Sequence, residues 1–149
     1  MRRIRKKYQL PKRPWDKQRI EKEKELKKNY GLGKKQEIRR AEFVLRKYRG
    51  LARELTARSN KEKEKIIIEK LIKFGLLQNG AKLDDILGLT VENILERRLQ
   101  SIVKNKGFAN TIKHSRQLIT HGHVLIDGRK IMYPSYLVPK EEEDKIKVG

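Results

Sequence analysis

Along the first half of the chain, Ile38, Ala41, Leu45, Tyr48, Ala52 and Leu55 recur at intervals of 3, 4, 3, 4 and 3. That spacing predicts a helix that buries one stripe. Upstream, Asp16 can cap a helix running to Asn29, and Gly31 can take the left-handed position that closes it. Ile20 and Leu26 are nearly its only apolar residues, so this helix is expected to be loosely solvated or laid against a partner. Ser59-Asn60-Lys61-Glu62 reads as a capping box opening a third helix, through Ile66, Ile67, Leu71 and Phe74 to Gly75. A loop at Gln78-Asn79-Gly80 and a short apolar segment, Leu83 to Leu89, follow. Thr90 then caps a fourth helix, with Ile94, Leu95, Leu99, Ile102 and Val103 on one face and Gly107 at its end.

The last third changes period. Asn110-Thr111 can cap a helix to His121, with Ile112, Ser115, Leu118 and Ile119 inward and Gly122 ending it. Val124-Leu125-Ile126, Asp127-Gly128 and Arg129-Lys130-Ile131 predict a hairpin with a primed turn. Tyr136–Val138 and Lys145–Val148 are expected as two further short strands. The fold class is therefore α+β: a mostly helical N-terminal region, then a small domain of two helices on a short antiparallel sheet. The expected divisions are an extended basic tail at 1–15, a helical region at 16–93 and the small domain at 94–149.

Charge decides what such a chain is for. The 149 residues carry a formal net charge of +20, with 39% charged and 36% hydrophobic residues. Ordinary domains hold about 25% and 45–50% respectively, so a large self-contained core is not expected. Such an excess opposes compaction unless a polyanion offsets it. Residues 1–65 hold 25 basic and 9 acidic side chains, a net of +16, and residues 66–149 hold 14 and 10, a net of +4. In the tail, Arg2, Arg3, Lys6 and Lys7 precede Lys12-Arg13, which Pro11 and Pro14 flank. Proline biases such a segment to extended backbone. Trp15, the one tryptophan, is expected to plug a nearby helix, with stacking on a base as the alternative.

On the long helix, Arg39, Arg46, Arg49 and Arg53 fall on one stripe with only Glu42 intruding. Guanidinium forks suit phosphate oxygens, and this reading is preferred to a merely solvated face. No apolar run approaches the roughly 18 residues of a membrane span, and the basic N-terminus lacks the apolar stretch of a signal peptide. Zero cysteines exclude disulfides, thiolate zinc and a cysteine nucleophile. The expectation is an intracellular, soluble polyanion binder.

Enzyme motifs fail on inspection. Gly75 to Lys82 has Ala81 where a phosphate loop needs lysine, and Gly31-Leu32-Gly33 lacks the third glycine of a dinucleotide loop. Asp84 and Asp85 are sequence neighbours that diverge by about 100° on a helix and make no acid/base pair. His114 and His121 lie two turns apart on one flank, with His123 just beyond. Metal binding wants three or four ligands and only Asp127 is near, so no metal is assigned and these histidines are read as phosphate, sugar or structural hydrogen-bond groups. No cofactor is expected.

Several motifs carry a resemblance: Glu96-Arg97-Arg98-Leu99-Gln100, Gly107-Phe108-Ala109, Ser115-Arg116-Gln117-Leu118-Ile119, His121-Gly122-His123-Val124, Asp127-Gly128-Arg129 and Pro134-Ser135-Tyr136. In this order and spacing, residues 94–138 resemble the RNA-binding domain named after ribosomal small-subunit protein S-four. Lys7-Tyr8 to Pro14-Trp15, Tyr30-Gly31-Leu32, Leu51 to Leu55 and Leu89-Thr90-Val91-Glu92 extend the resemblance to the archaeal and eukaryotic form of that family. The resemblance implies a non-enzymatic component of the small ribosomal subunit and an early binder of its RNA. It implies a place on the 5′ domain, near the decoding region and the path along which messenger RNA enters. Neighbouring small-subunit proteins would be partners, together with messenger RNA, and neither a membrane nor a homo-oligomer is expected. A biogenesis protein binding guide RNA and precursor ribosomal RNA through the same domain is the alternative. By position, the resemblance puts the RNA face of the domain on Arg97, Arg98, Lys104, Lys106, Thr111, His114, Arg116, Gln117, His121, His123, Arg129 and Lys130. Family members tend to continue past the final strand, whereas this sequence stops at Gly149, and the zinc site of some bacterial members is excluded by the absence of cysteine.

Overall fold

The computed structural model describes residues 7–58 and 60–149. The tail residues Arg2, Arg3 and Lys6, and the Ser59 cap, lie outside the described residues. Among the described residues, eight helices and a three-stranded sheet follow in the order α1 (Lys17–Asn29), α2 (Lys35–Ala57), α3 (Lys61–Lys73), α4 (Leu83–Gly88), α5 (Val91–Glu96), α6 (Leu99–Asn105), α7 (Ile112–Thr120), β1 (Val124–Ile126), β2 (Arg129–Lys130), α8 (Lys140–Glu143) and β3 (Ile146–Val148). Strand β1 is central and antiparallel to both neighbours, with Leu125 opposite Lys130 on one side and Lys147 on the other.

Local chemistry sets many of the boundaries. Asp16 accepts from the Arg19 amide at 3.3 Å and opens α1, while Thr111 does the same for the His114 amide at 3.1 Å and opens α7. Asn60 caps α3 through the Lys63 amide, and Asp85 reaches back to the Lys82 amide at the start of α4. The hairpin turn has Asp127 at φ 51° and Gly128 at φ 78°, the two left-handed residues a type I′ turn requires.

Two hydrophobic cores result. The first gathers Ile38, Ala41, Leu45 and Ala52 of α2 with Leu71, Ile86 and Leu95, and Tyr48 packs half-buried against it. The second gathers Leu99 and Val103 of α6 with Ile119, Val124, Ile126, Val138 and Ile146.

Four expectations are corrected. The single helix from Thr90 to Gly107 is two helices, broken at Arg97-Arg98. There the backbone leaves the helix to pair with residues 136–138: Val138 donates to the Arg97 carbonyl at 3.0 Å and Leu99 to the Tyr136 carbonyl at 2.8 Å. For the same reason Tyr136–Val138 is no strand of the sheet; it makes an isolated bridge between Leu137 and Arg98. Helix α1 is neither loosely solvated nor lacking an intramolecular partner. It docks on α2 through Glu23, which is 3% exposed and paired to Arg19 and, at 3.3 Å, to Lys35. Trp15 plugs nothing: it is 86% exposed.

Candidate nucleic-acid interface

The break at residues 97–98 creates a seam between the two cores, with Glu37 at its centre. Its carboxylate accepts from the Gly33 amide at 3.0 Å and the Lys34 amide at 3.3 Å, and so ties down the first turn of α2. It also pairs with Arg98, and with Arg116 of α7 at 3.3 Å. Burial pushes the Glu37 carboxyl up, but hydrogen bonds from Arg98 and Arg116, with their charges, more than reverse this and hold it at about 2.

Gln100, also buried, completes the seam. Its amide donates to the Gly31 carbonyl at 3.2 Å and the Ile112 carbonyl at 3.0 Å. Gly31 sits at φ 56°, and a Cβ there would come within 2.8 Å of the Ile112 side chain, so both conformation and space call for glycine. Beside it the Tyr30 hydroxyl donates to Glu96 at 3.3 Å; burial, with the charges of Glu96 and Glu92, pushes it up to about 12.

The basic side chains singled out from the sequence separate into two groups around this seam. Five are committed to the protein itself. Arg98 is only 5% exposed and belongs to the Glu37 pair, and Arg116 is half-buried against the same carboxylate. Arg97 pairs with Glu143 at 2.7 Å and donates to the Val138 carbonyl at 2.8 Å. Lys106 reaches the Glu143 carbonyl and Asp144. On α2, Arg49 donates to the Leu89 carbonyl at 2.6 Å and so holds the loop between α4 and α5.

The others face solvent or line open grooves. Lys7, Lys12 and Arg13 are exposed on the segment leading into α1. Arg39 is half-buried on a cleft of about 420 Å³ that it shares with Lys12, Arg19 and Arg46; Glu23 and Glu42 lie at its back. Arg46, exposed, also binds the Gln9 side chain, and Arg53 is exposed two turns further along. In the C-terminal part Lys104, Thr111, His114, Gln117, His121, His123, Arg129 and Lys130 are all exposed. His123 also contacts the Gly149 carbonyl at 3.0 Å.

Sequence reasoning thus found the charged surface and missed the seam. Glu37 carried no motif signal, and Arg98 and Arg116 looked like any other arginines on an RNA-facing helix. Among the described residues no group of three or more His, Cys, Asp or Glu is placed to hold a metal ion, and no helix is long and apolar enough to cross a membrane. The surface presents ammonium and guanidinium donors over a wide area, which suits a phosphate backbone.

Comparison with known proteins agrees in both parts of the chain. Residues 2–96 match the family described as the ribosomal protein S4/S9 N-terminal domain, and residues 97–144 match the S4 domain. The two matches meet at the helix break. The small ribosomal subunit protein uS4 of Korarchaeum cryptofilum is 51% identical over 148 residues, covering 98% of this chain and 89% of the relative. Its namesake in Methanothermobacter thermautotrophicus is 46% identical, covering 97% and 86%, and that of Nanoarchaeum equitans 49% identical, covering 97% and 83%. Two tandem family matches and full-length relatives at this identity mean that the chain belongs to the ribosomal protein S4 family.

Proposed function

We propose that the protein is a structural, non-enzymatic component of the small ribosomal subunit that works in the cytoplasm by binding the subunit's ribosomal RNA directly. The observation that carries this reading is the end-to-end family match over residues 2–144, laid on a surface whose exposed cations far outnumber its exposed acids. The relatives named above are themselves small ribosomal subunit proteins. The biogenesis reading has no comparable support.

The RNA contacts are assigned to the exposed set: the basic tail with Lys7, Lys12 and Arg13, the α2 stripe at Arg39, Arg46 and Arg53, and Lys104, Thr111, His114, Gln117, His121, His123, Arg129 and Lys130. Arg49, Arg97, Arg98, Lys106 and Arg116 position these groups. Residues 16–93 and 94–149 act as two RNA-contacting parts, held in fixed register by Glu37. The finer placement, on the 5′ domain near the decoding region and the path of incoming messenger RNA, rests on the family resemblance. So do early binding in assembly and contacts with neighbouring subunit proteins.

The test is affinity for small-subunit ribosomal RNA against salt. Six to ten phosphate contacts predict a loss of about a thousandfold or more between roughly 50 and 200 mM salt. A nearly flat dependence would sink the electrostatic reading. In cell extract the protein should sediment with mature small subunits; confinement to precursor particles would favour the biogenesis role instead.

A further inference from the structure

Trp15 is the most exposed of the large aromatics among the described residues, and the backbone on both sides of it is fixed. On its N-terminal side the Arg19 guanidinium binds the backbone, donating to the Arg13 carbonyl at 3.3 Å and the Pro14 carbonyl at 2.9 Å. On its C-terminal side Asp16 is fixed as the cap of α1. Pro14, directly before it, removes one backbone freedom. The indole is nevertheless 86% exposed and lies in an open groove with Lys12, Arg13, Pro14 and the capping Asp16. Lys12 also borders the cleft of Arg19, Arg39 and Arg46.

An aromatic face on a clamped turn, flanked by Lys12 and Arg13, fits one kind of occupant. An apolar protein surface would want neighbours that are not charged, and cations at this density would repel a basic neighbour. An unpaired base offers a π-face to the indole, and its own phosphates fall to the surrounding lysine and arginines. We propose that Trp15 is a stacking platform for an unpaired base of the small-subunit ribosomal RNA, with Lys12, Arg13 and the Arg39–Arg46 cleft taking the flanking phosphates. This inference rests on the RNA-binding reading above and adds to it a specific nucleotide contact. The clamp lowers the entropy cost of the contact, because the backbone that carries the indole is fixed before RNA arrives.

A single tryptophan supplies its own probe. The full chain is titrated with small-subunit ribosomal RNA while indole emission and bound RNA are followed in parallel. Stacking predicts that emission is quenched in step with binding. It also predicts that Trp15→Ala weakens affinity by on the order of tenfold, that Trp15→Tyr restores most of it, and that neither variant shifts the melting temperature. If RNA binds while emission and the affinity of Trp15→Ala stay unchanged, the platform is overturned and the RNA-binding reading stands. If the wild-type chain binds no RNA, both fall. An emission change that appears only when other small-subunit proteins are added, with RNA alone silent, assigns the indole to a protein neighbour and overturns the proposal.

Discussion

The helical region and the C-terminal module use their cations in opposite ways. Up to Lys65 basic side chains outnumber acidic ones by 25 to 9, and beyond it by only 14 to 10. Where the numbers are close, cations find carboxylates: Arg97 with Glu143, Lys106 with Asp144, Lys145 with Asp127. Where they are far apart, most acids stay exposed and only a few, around α2, are taken into the packing. Glu23 is buried between α1 and α2, and Glu42 is half-buried near it. Most of the basic groups there are exposed to solvent. Whether an arginine serves the fold or the partner therefore depends on the local supply of carboxylate, and its own place on a helix does not decide it. Arg98, at the start of α6, and Arg53, within α2, are both arginines of a basic protein. One is an internal strut and the other is free.

The largest way to break this comparison is to remove the carboxylate that the two regions share. Glu37→Ala leaves Arg98 buried without a counter-charge, which costs about 3–5 kcal/mol, and also frees the Gly33 and Lys34 amides. The denaturant midpoint should fall accordingly. A midpoint close to wild type would mean that the cores are joined by packing at Leu137 and Gly31 alone.

Acid should produce part of the same loss without a mutation. The Glu37 carboxyl titrates near 2 in the fold against 4.5 in a free side chain. A depressed carboxylate stabilises above its unfolded value, and that contribution drains away as pH falls through 4.5 toward 2. The shift corresponds to about 3 kcal/mol. Glu42, on the same helix, is shifted the other way, because burial and then the neighbouring Glu23 charge raise it. Its contribution is gained on acidification, so two carboxylates near the start of α2 oppose each other. Comparing wild type with Glu37→Gln isolates the seam: the stability gap between them should narrow steadily between about pH 5 and pH 2. A gap that holds constant across that range would remove Glu37 from the charged seam.

Much of this was legible in the chain because it is local. The α2 stripe, the caps at Asp16 and Thr111 and the Asp127-Gly128 turn need only residues a few positions apart, and periodicity or side-chain chemistry encodes them. The break at Arg97-Arg98 is of another kind. Their apolar neighbours continue a helical pattern through it, and what interrupts the helix is backbone pairing with residues about forty positions later. Glu37 and Arg98 are 61 residues apart, so no window along the sequence contains both. The strand expected at Tyr136–Val138 shows the same limit from the other side. Its alternation is real, with Leu137 packed on the first core and Val138 buried in the second, but its partner is the broken helix and not the sheet. Trp15 misled for a third reason. Burial is the ordinary fate of a tryptophan, and only the fold shows that none of the described residues covers it.

The smallest effect separates two neighbours on one helix. Arg49 and Arg53 lie one turn apart on the α2 stripe, and the sequence assigned them the same role. The structure ties Arg49 to the Leu89 carbonyl at 2.6 Å and leaves Arg53 exposed. Arg49→Ala should therefore lower stability by about 1–2 kcal/mol, as expected for a charged group losing a half-buried acceptor. Arg53→Ala should stay within about 0.5 kcal/mol of wild type while weakening RNA affinity and reducing the salt slope by about 1. Melting curves and salt-dependent RNA binding on the two variants, measured side by side, read both quantities. If Arg53→Ala costs as much stability as Arg49→Ala, the stripe is structural throughout, and the surplus of cations in the helical region is not a guide to where RNA lies. If it costs neither stability nor affinity, α2 keeps a solvated flank there and the contact falls to the segment around Trp15.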